Sequence, residues 1–267
     1  MPPDWTPIND NHAIAVMGAY VEFADPLPER SVRAALKTLE LKAYELGLTS
    51  AVNSTRLQFK ITVDGTTSEE PTVGGRIFTR RADAEEELAD SKALEQVRLD
   101  GERLVYRTWD YISWEWHSER IQALFKPCLA VLDPIVVFSA VGMEYLDRFK
   151  CTGSVAGGNL EALLRTDSDL LAPHIFKAKS LFHSHTGAFV NDDPVNRQLQ
   201  TCQVDAIDDD EGQRWVNITT KHEYRFSSEA TENADALLVY AEQHTNLKDM
   251  LAKIITAEQA NRIYLKA

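Results

Sequence analysis

The chain predicts an α+β fold in which one unit is built twice. Residues Leu94 to Leu132 read as a strand, a tight turn at Asp100-Gly101, a second strand ending near Trp109, and a long amphipathic helix. Residues Gln198 to Ile255 return to that order, with a strand to Ile207, a turn in Asp208-Asp209-Asp210-Glu211-Gly212, a strand ending near Phe226, and a helix. Long strands joined by hairpins and segregated from a few helices make antiparallel sheets with the helices packed on one face. The order strand, helix, three or four strands, helix is that of helix-grip and TATA-binding-protein-like topologies, a comparison of topology that lends no function. Two pseudo-repeated halves are expected, residues 1–133 and 134–267, forming one compact unit because no Gly/Ser linker or low-complexity segment parts them.

Each element follows from its pattern. Ala13 to Phe23 puts Met17, Ala19, Val21 and Phe23 on one apolar strand face. Asp25-Pro26-Leu27-Pro28 breaks it, and Pro28 opens a helix carrying Val32, Leu36, Leu39, Ala43 and Leu46 that stops at Gly47. Arg56 to Val63 alternates as a half-buried strand, Asp64-Gly65 turns it, and Gly75 to Arg81 is a shorter strand before the acidic excursion Ala82 to Ser91. Asp100-Gly101 is the clearest hairpin turn, since both residues tolerate positive φ. The helix from Ser113 carries Trp116, Ile121, Leu124, Cys128 and Leu132, with Pro127 expected to kink or end it. Past Asp133-Pro134 come a long strand, Ile135 to Phe149, a short helix, Leu160 to Arg165, and a strand, Ile175 to Val190. Ser227-Ser228 caps the last helix, whose face bears Leu237, Ala241, His244, Leu247, Leu251, Ile254 and Ile255.

Composition narrows the function classes. With 267 residues, 44% of them hydrophobic and 26% charged, the chain is an ordinary globular one with ample material for a core. No apolar run approaches the roughly 18 residues that span a bilayer, and the first residues show no secretory signal, so a cytoplasmic protein is expected. Three distant cysteines, Cys128, Cys151 and Cys202, read as reduced buried thiols. A net charge of −13 disfavours nonspecific binding to nucleic acid or anionic lipid.

The chain length, the stretch Val141-Gly142-Met143-Glu144-Tyr145-Leu146-Asp147-Arg148-Phe149, and the closing helix from His244 into Ile254-Ile255-Thr256 together resemble a sporadically distributed family of uncharacterised bacterial and archaeal proteins of similar length. In that family a basic residue usually stands where this chain has Glu144. The resemblance implies a soluble prokaryotic protein of patchy distribution, compatible with defence or toxin–antitoxin loci. It implies no known reaction and supplies no catalytic residues.

Candidate sites are few. His183 and His185 sit two apart, so on a strand both face one way and can share a metal with a third ligand from Asp192, Asp193, Asp205 or His222. The competing reading is a pair of solvated histidines. His244 on the apolar helix face is either a core histidine bonded to a backbone carbonyl or a ligand contact. Trp109, Tyr111, Trp114 and Trp116 form either a recognition surface or a pin between helix and sheet at the strand-to-helix corner. Arg76, Arg80, Arg98, Arg103 and Arg107 lie on strands expected to be neighbours, as a basic patch or a face laced with ion pairs. The glycine-rich stretch Gly153 to Asn159 lacks the lysine of a phosphate loop, and no nucleophile elbow, zinc-protease or kinase motif is present.

These features point first to a non-catalytic binding or adaptor module. It would use a cupped antiparallel sheet and its aromatic corner to hold a protein partner or small ligand, and no cofactor is expected. An exposed outer edge such as Gly75 to Arg81 or Ile175 to Val190 suggests a homodimer or a protein partner. The alternatives are a metal-dependent hydrolase centred on His183 and His185, and nucleic-acid binding through the arginine-bearing sheet.

Overall fold

The computed structural model describes residues 5–61, 67–82, 92–132, 136–152, 158–178, 180–227 and 237–265. The expected turns at Asp64-Gly65 and Asp133-Pro134 lie outside the described residues, as do nearly all of Ala82 to Ser91, most of Gly153 to Asn159, and Ser228. The fold is α+β, with a large antiparallel sheet and four α-helices among the described residues. Its strands are β1 (Trp5–Pro7), β2 (Ile14–Phe23), β3 (Ser50–Ile61), β4 (Thr67–Arg81), β5 (Ala93–Asp100), β6 (Arg103–Thr108), β7 (Phe138–Cys151), β8 (Phe182–Phe189), β9 (Asn196–Asp208) and β10 (Arg214–Phe226). The helices are α1 (Glu29–Glu45), α2 (Trp114–Leu132), α3 (Val239–Ile254) and α4 (Ala257–Arg262). No described helix is long and apolar enough to cross a membrane. The chain divides into two units, Tyr20–Ala140 and Met1–Ala19 with Val141–Ala267, so β2 and β7 each contribute to both.

In the unit Tyr20–Ala140 the hydrogen-bonded order is β3-β4-β5-β6-β2. The β5–β6 hairpin closes where the Asp100 carboxylate accepts hydrogen bonds from the backbone N–H groups of Glu102 and Arg103, both 2.9 Å. Strand alternation puts Phe78, Val97, Leu99, Leu104 and Tyr106 on one face, all fully buried. Both helices pack on that face through Val32, Ala35, Leu39 and Ala43 of α1 and Ile121, Leu124, Phe125 and Cys128 of α2. Gly47 at φ +82° follows α1, and the Leu48 N–H reaches back to the Ala43 carbonyl at 2.8 Å. Pro127 does not end α2. The helix continues to Leu132, because the buried row Leu124, Phe125, Cys128 and Leu132 on both sides of the proline outweighs one missing backbone bond.

In the other unit the order is β7-β10-β9-β8, with β1 paired to β7. One sheet face carries Phe149, Cys151, Cys202, Val204, Ala206, Val216 and Ile218, which form a core with Leu251, Ile254 and Ile255 of α3 and with Ala260 and Ile263. The expected strand from Ile175 to Val190 begins only at Phe182. Pro173–Lys177 is a 3-10 helix opened by Pro173, and it buries Ile175 in the same core. Leu160–Ala162 is likewise a single 3-10 turn rather than a helix reaching Arg165. Gly75 to Arg81 is not an edge, since β4 pairs with both β3 and β5; among the described strands β3 and β8 end the hydrogen-bonded path, and β1 pairs with β7 beside it. All three cysteines are free and buried.

Candidate functional site

The strand-to-helix corner of the unit Tyr20–Ala140 is built around a buried carboxylate. Glu95 on β5 is fully buried and held from two sides. Arg120 of α2 grips it with two hydrogen bonds, Nε to Oε1 at 2.7 Å and Nη2 to Oε2 at 2.8 Å, and also donates to the Leu46 carbonyl. Arg80 of β4, directly opposite Glu95 in the ladder, donates to Oε2 at 3.0 Å and to Asp110 at 3.1 Å. Trp116 lies under both cations, its ring centroid 4.5 Å from Arg120 and 6.0 Å from Arg80. Next to this cluster the Ile112 N–H donates to His117 Nε2 at 3.2 Å. The ring proton therefore sits on Nδ1, which donates to the Tyr106 hydroxyl at 2.7 Å. Burial drives the His117 pKa down to about 4, against the opposing pull of Glu95. Burial, reinforced by Glu95, raises that of Tyr106. Every charge here has a partner, and the ring of Tyr111 stacks on His117 at 5.2 Å. This is the arrangement of a pinned joint.

The sequence-selected residues divide accordingly. Trp109, Tyr111, Trp114 and Trp116 do gather at this corner, but all are half-buried, and Trp116 and Tyr111 are engaged within it. The five arginines do not share a face. Arg76 and Arg80 point to the helix side, where Arg76 pairs with Glu40 at 2.8 Å. Arg98, Arg103 and Arg107 lie on the opposite face, with Arg98 bridged to Asp100 at 2.5 Å. His183 and His185 are both exposed on β8. His183 Nδ1 meets its ladder partner Asp205 at 2.5 Å, while His185 faces Gln203. Among the described residues no three His, Cys, Asp or Glu side chains come together to hold a metal. His244 is half-buried, and its Nδ1 bonds the Tyr145 hydroxyl at 2.9 Å rather than a backbone carbonyl.

A different cluster emerges on the second unit's sheet. The described helices of that unit cover the face of Phe149 and Val216. The opposite face carries Arg148 and Lys150 of β7 and Trp215 of β10. The Arg148 guanidinium lies 4.1 Å over the Trp215 ring and the Lys150 ammonium 5.7 Å from it. The Trp215 indole N–H is anchored to Asp209 at 2.9 Å. The Arg148 Nε is buried without a hydrogen-bond partner. Neither cation makes an ion pair with a described carboxylate, whereas Lys221 and Arg225 on the same face both pair with the buried Glu223. Asp209, which holds the indole, also feels the Arg148 charge, and its pKa is lowered, first by the Trp215 hydrogen bond. Two cations on one aromatic ring, neither in a direct ion pair with a described carboxylate, form a seat for an anionic group.

Beneath the covered face lies a second set of polar groups. Asp147 of β7 is 1% exposed, its Oδ1 has no hydrogen-bond partner, and burial pushes its pKa up to about 7. Thr220 and His222 of β10 are fully buried, and the His222 pKa is lowered, by burial first. Gln243 of α3 donates to the Val141 and His222 carbonyls. Sequence reading missed Glu95, Arg120, His117, Arg148 and Trp215, although the alternation of Arg148 and Lys150 along an apolar strand was a signal that they share a face. Searched against protein-family models and curated proteins, the chain matches none of them.

Proposed function

We propose that this chain is a non-catalytic binding protein that holds an anionic group of a protein partner on Arg148, Lys150 and Trp215. The observation that carries this reading is the pair of cations stacked at one indole with no carboxylate in salt-bridge range. In a chain of net charge −13, two cations on the face away from the helices, with Asp209 near enough to feel the Arg148 charge, mark a local site rather than a general basic surface. The aromatic corner, by contrast, serves the fold.

The test is titration with a short glutamate peptide, reading tryptophan fluorescence in the wild-type chain and in Trp215→Phe. Saturable binding reported by Trp215, weakened tenfold or more in Arg148→Ala and Lys150→Ala, is expected. Binding insensitive to both substitutions, or none at all, counts against the site.

A metal-dependent hydrolase at His183 and His185 is the second reading. The Asp205 carboxylate on His183 Nδ1 favours it, since such a pair orients Nε2 outward as metal-site histidines are oriented. Elemental analysis of the purified protein discriminates: stoichiometric zinc, lost in His183→Ala, would favour the hydrolase. We also infer an internal duplication. In both units the opening strand neighbours the closing one, β2 beside β6 and β7 beside β10, and the remaining strands follow in order outward.

A further inference from the structure

The strand β8 ends the second unit's sheet. It pairs with β9 over its whole length, from Phe182 opposite Ala206 to Phe189 opposite Leu199, without a bulge. Among the described residues its other edge has no strand partner. Edge strands are ordinarily blunted by lysine, proline, acidic residues or bulges. Phe182-His183-Ser184-His185-Thr186-Gly187-Ala188-Phe189 contains no lysine, arginine, carboxylate or proline, in a chain with 41 acidic residues. Large apolar side chains stand exposed at its two ends, Leu181 at 51%, Phe189 at 49% and Val190 at 49%. The flanks are opposite in charge. Lys177 precedes the strand, and Asp192 and Asp193 follow it.

We propose that two copies of this chain associate by pairing β8 with β8 in antiparallel register about a twofold axis. The ends of the strand are what select a second copy over another peptide. An antiparallel copy brings the apolar end at Leu181 to the apolar end at Phe189 and Val190, and the side of the strand bearing Lys177 to the side bearing Asp192 and Asp193, twice over by symmetry. The pleat restricts the register. Directly opposed residues point to the same side of a sheet, and in β8 Ser184 is buried towards the core while His183, His185 and Phe189 are exposed on the other face. Odd-numbered residues must therefore oppose odd-numbered ones if both helix layers are to stay on one side. The register that satisfies this and joins the apolar ends sets Leu181 against the partner's Phe189, His183 against the partner's Gly187, and His185 against the partner's His185. A single pair of strands makes an interface at the small end of the usual range, about 1,200 Å² or less.

Sedimentation equilibrium across micromolar concentrations, with His185→Lys as the edge-blocking variant, tests this. The wild-type chain should form dimers. His185→Lys should weaken them at least tenfold, because two lysines would stand directly opposite one another, while its circular dichroism stays that of the wild type. A wild-type chain that remains monomeric throughout, or a folded His185→Lys chain that dimerises as well as the wild type, overturns the proposal. Should the variant not fold, hydrogen exchange on the wild-type chain decides instead. Protection that rises with concentration only over residues 181–190 supports β8 pairing, and protection elsewhere or nowhere overturns it. Neither readout involves Arg148, Lys150 or Trp215, so the anion seat stands or falls separately.

Discussion

Glu95 and Asp147, buried carboxylates of different units, have met opposite treatment. Glu95 is fully buried, yet two arginines and three hydrogen bonds surround it. Asp147 is buried almost as deeply, with its Oδ1 facing no donor at all. Removing a charge from water costs several kcal/mol, and the loss is recovered only where partners satisfy the lone pairs. The first carboxylate therefore locks β4, β5 and α2 together. The second answers burial by holding its proton, which is why its pKa climbs to about 7. Burial alone does not say whether a carboxylate is a joint or a liability; the geometry of its partners does.

Breaking the joint should have the largest effect. Arg120→Ala removes two of the three hydrogen bonds to Glu95 and leaves that carboxylate half-compensated in the core. A loss of roughly 3–5 kcal/mol in urea unfolding is expected, as for other buried pairs deprived of one member. Arg80→Ala should cost less, about 1–2 kcal/mol, because its guanidinium is partly exposed and Arg120 remains in place. Equal losses for the two would mean that the cluster is not organised around the bidentate arm.

The second prediction separates the carboxylates by pH. The Asp147 pKa stands near 7 folded against 3.8 for the free side chain. Between about pH 4 and 7 the folded chain therefore holds a proton that the unfolded chain releases, and stability falls as pH rises through that window. Asp147→Asn keeps the shape and removes the titration. Its stability relative to wild type should climb by about 2 kcal/mol from pH 4 to pH 8, part of the full shift being relieved by local rearrangement. His117 works the other way. Its folded pKa near 4 lies below the ordinary 6.5, so its contribution is present above pH 6.5 and is lost as pH falls towards 4. The opposing slopes partly cancel in the wild type, and Asp147→Asn should unmask a chain that loses stability on acidification. A pH-independent difference between Asp147→Asn and wild type would show that Asp147 is not isolated.

How much of this was legible in the sequence depends on whether the information is local. The α+β class, the stop at Gly47 and the last turns of α3, with Leu247 and Leu251 buried and Lys253 exposed, are set by period and turn chemistry within a few residues. The first turn of α3 departs from the expected face, with Ala241 exposed and Tyr240 and Gln243 buried, and the hairpin at Asp100-Gly101 closes through the Asp100 carboxylate rather than through positive φ. The corner was located through its aromatic residues. Its chemistry was not, since the pairing of Glu95 with Arg120 spans 25 residues and depends on how α2 lands on β5. The arginines illustrate the limit. Parity along β4 puts Arg76 and Arg80 on one face, but only the ladder, with Arg98 opposite Val105, sends Arg98, Arg103 and Arg107 to the other. The strand read from Ile175 failed because apolar alternation continues across Pro173–Lys177, where the backbone is a 3-10 turn burying Ile175 from a different direction.

The smallest effect tests whether the joint extends beyond its charges. Tyr106 stands between Glu95 and His117, with its hydroxyl 2.7 Å from Nδ1. Tyr106→Phe leaves the buried ring in place and removes one hydroxyl, which accepts from His117 Nδ1 and also interacts with Glu95, so the expected cost is about 1 kcal/mol at pH 7 with Arg80 and Arg120 still on the carboxylate. The imidazole then keeps its Nδ1 proton without an acceptor, while the Ile112 N–H still fixes Nε2. Because burial is the leading cause of the depressed His117 pKa, and the rings of residue 106, Tyr111 and Trp116 still pack against the imidazole, the acid limb of the stability curve should keep its position in Tyr106→Phe. The hydroxyl would then be an adornment of the joint and the arginine–glutamate pairing its substance. An acid limb that moves towards pH 6.5 in this variant would instead place the hydroxyl among the groups that keep His117 neutral, and the satisfied cluster would extend one residue deeper than its ion pairs.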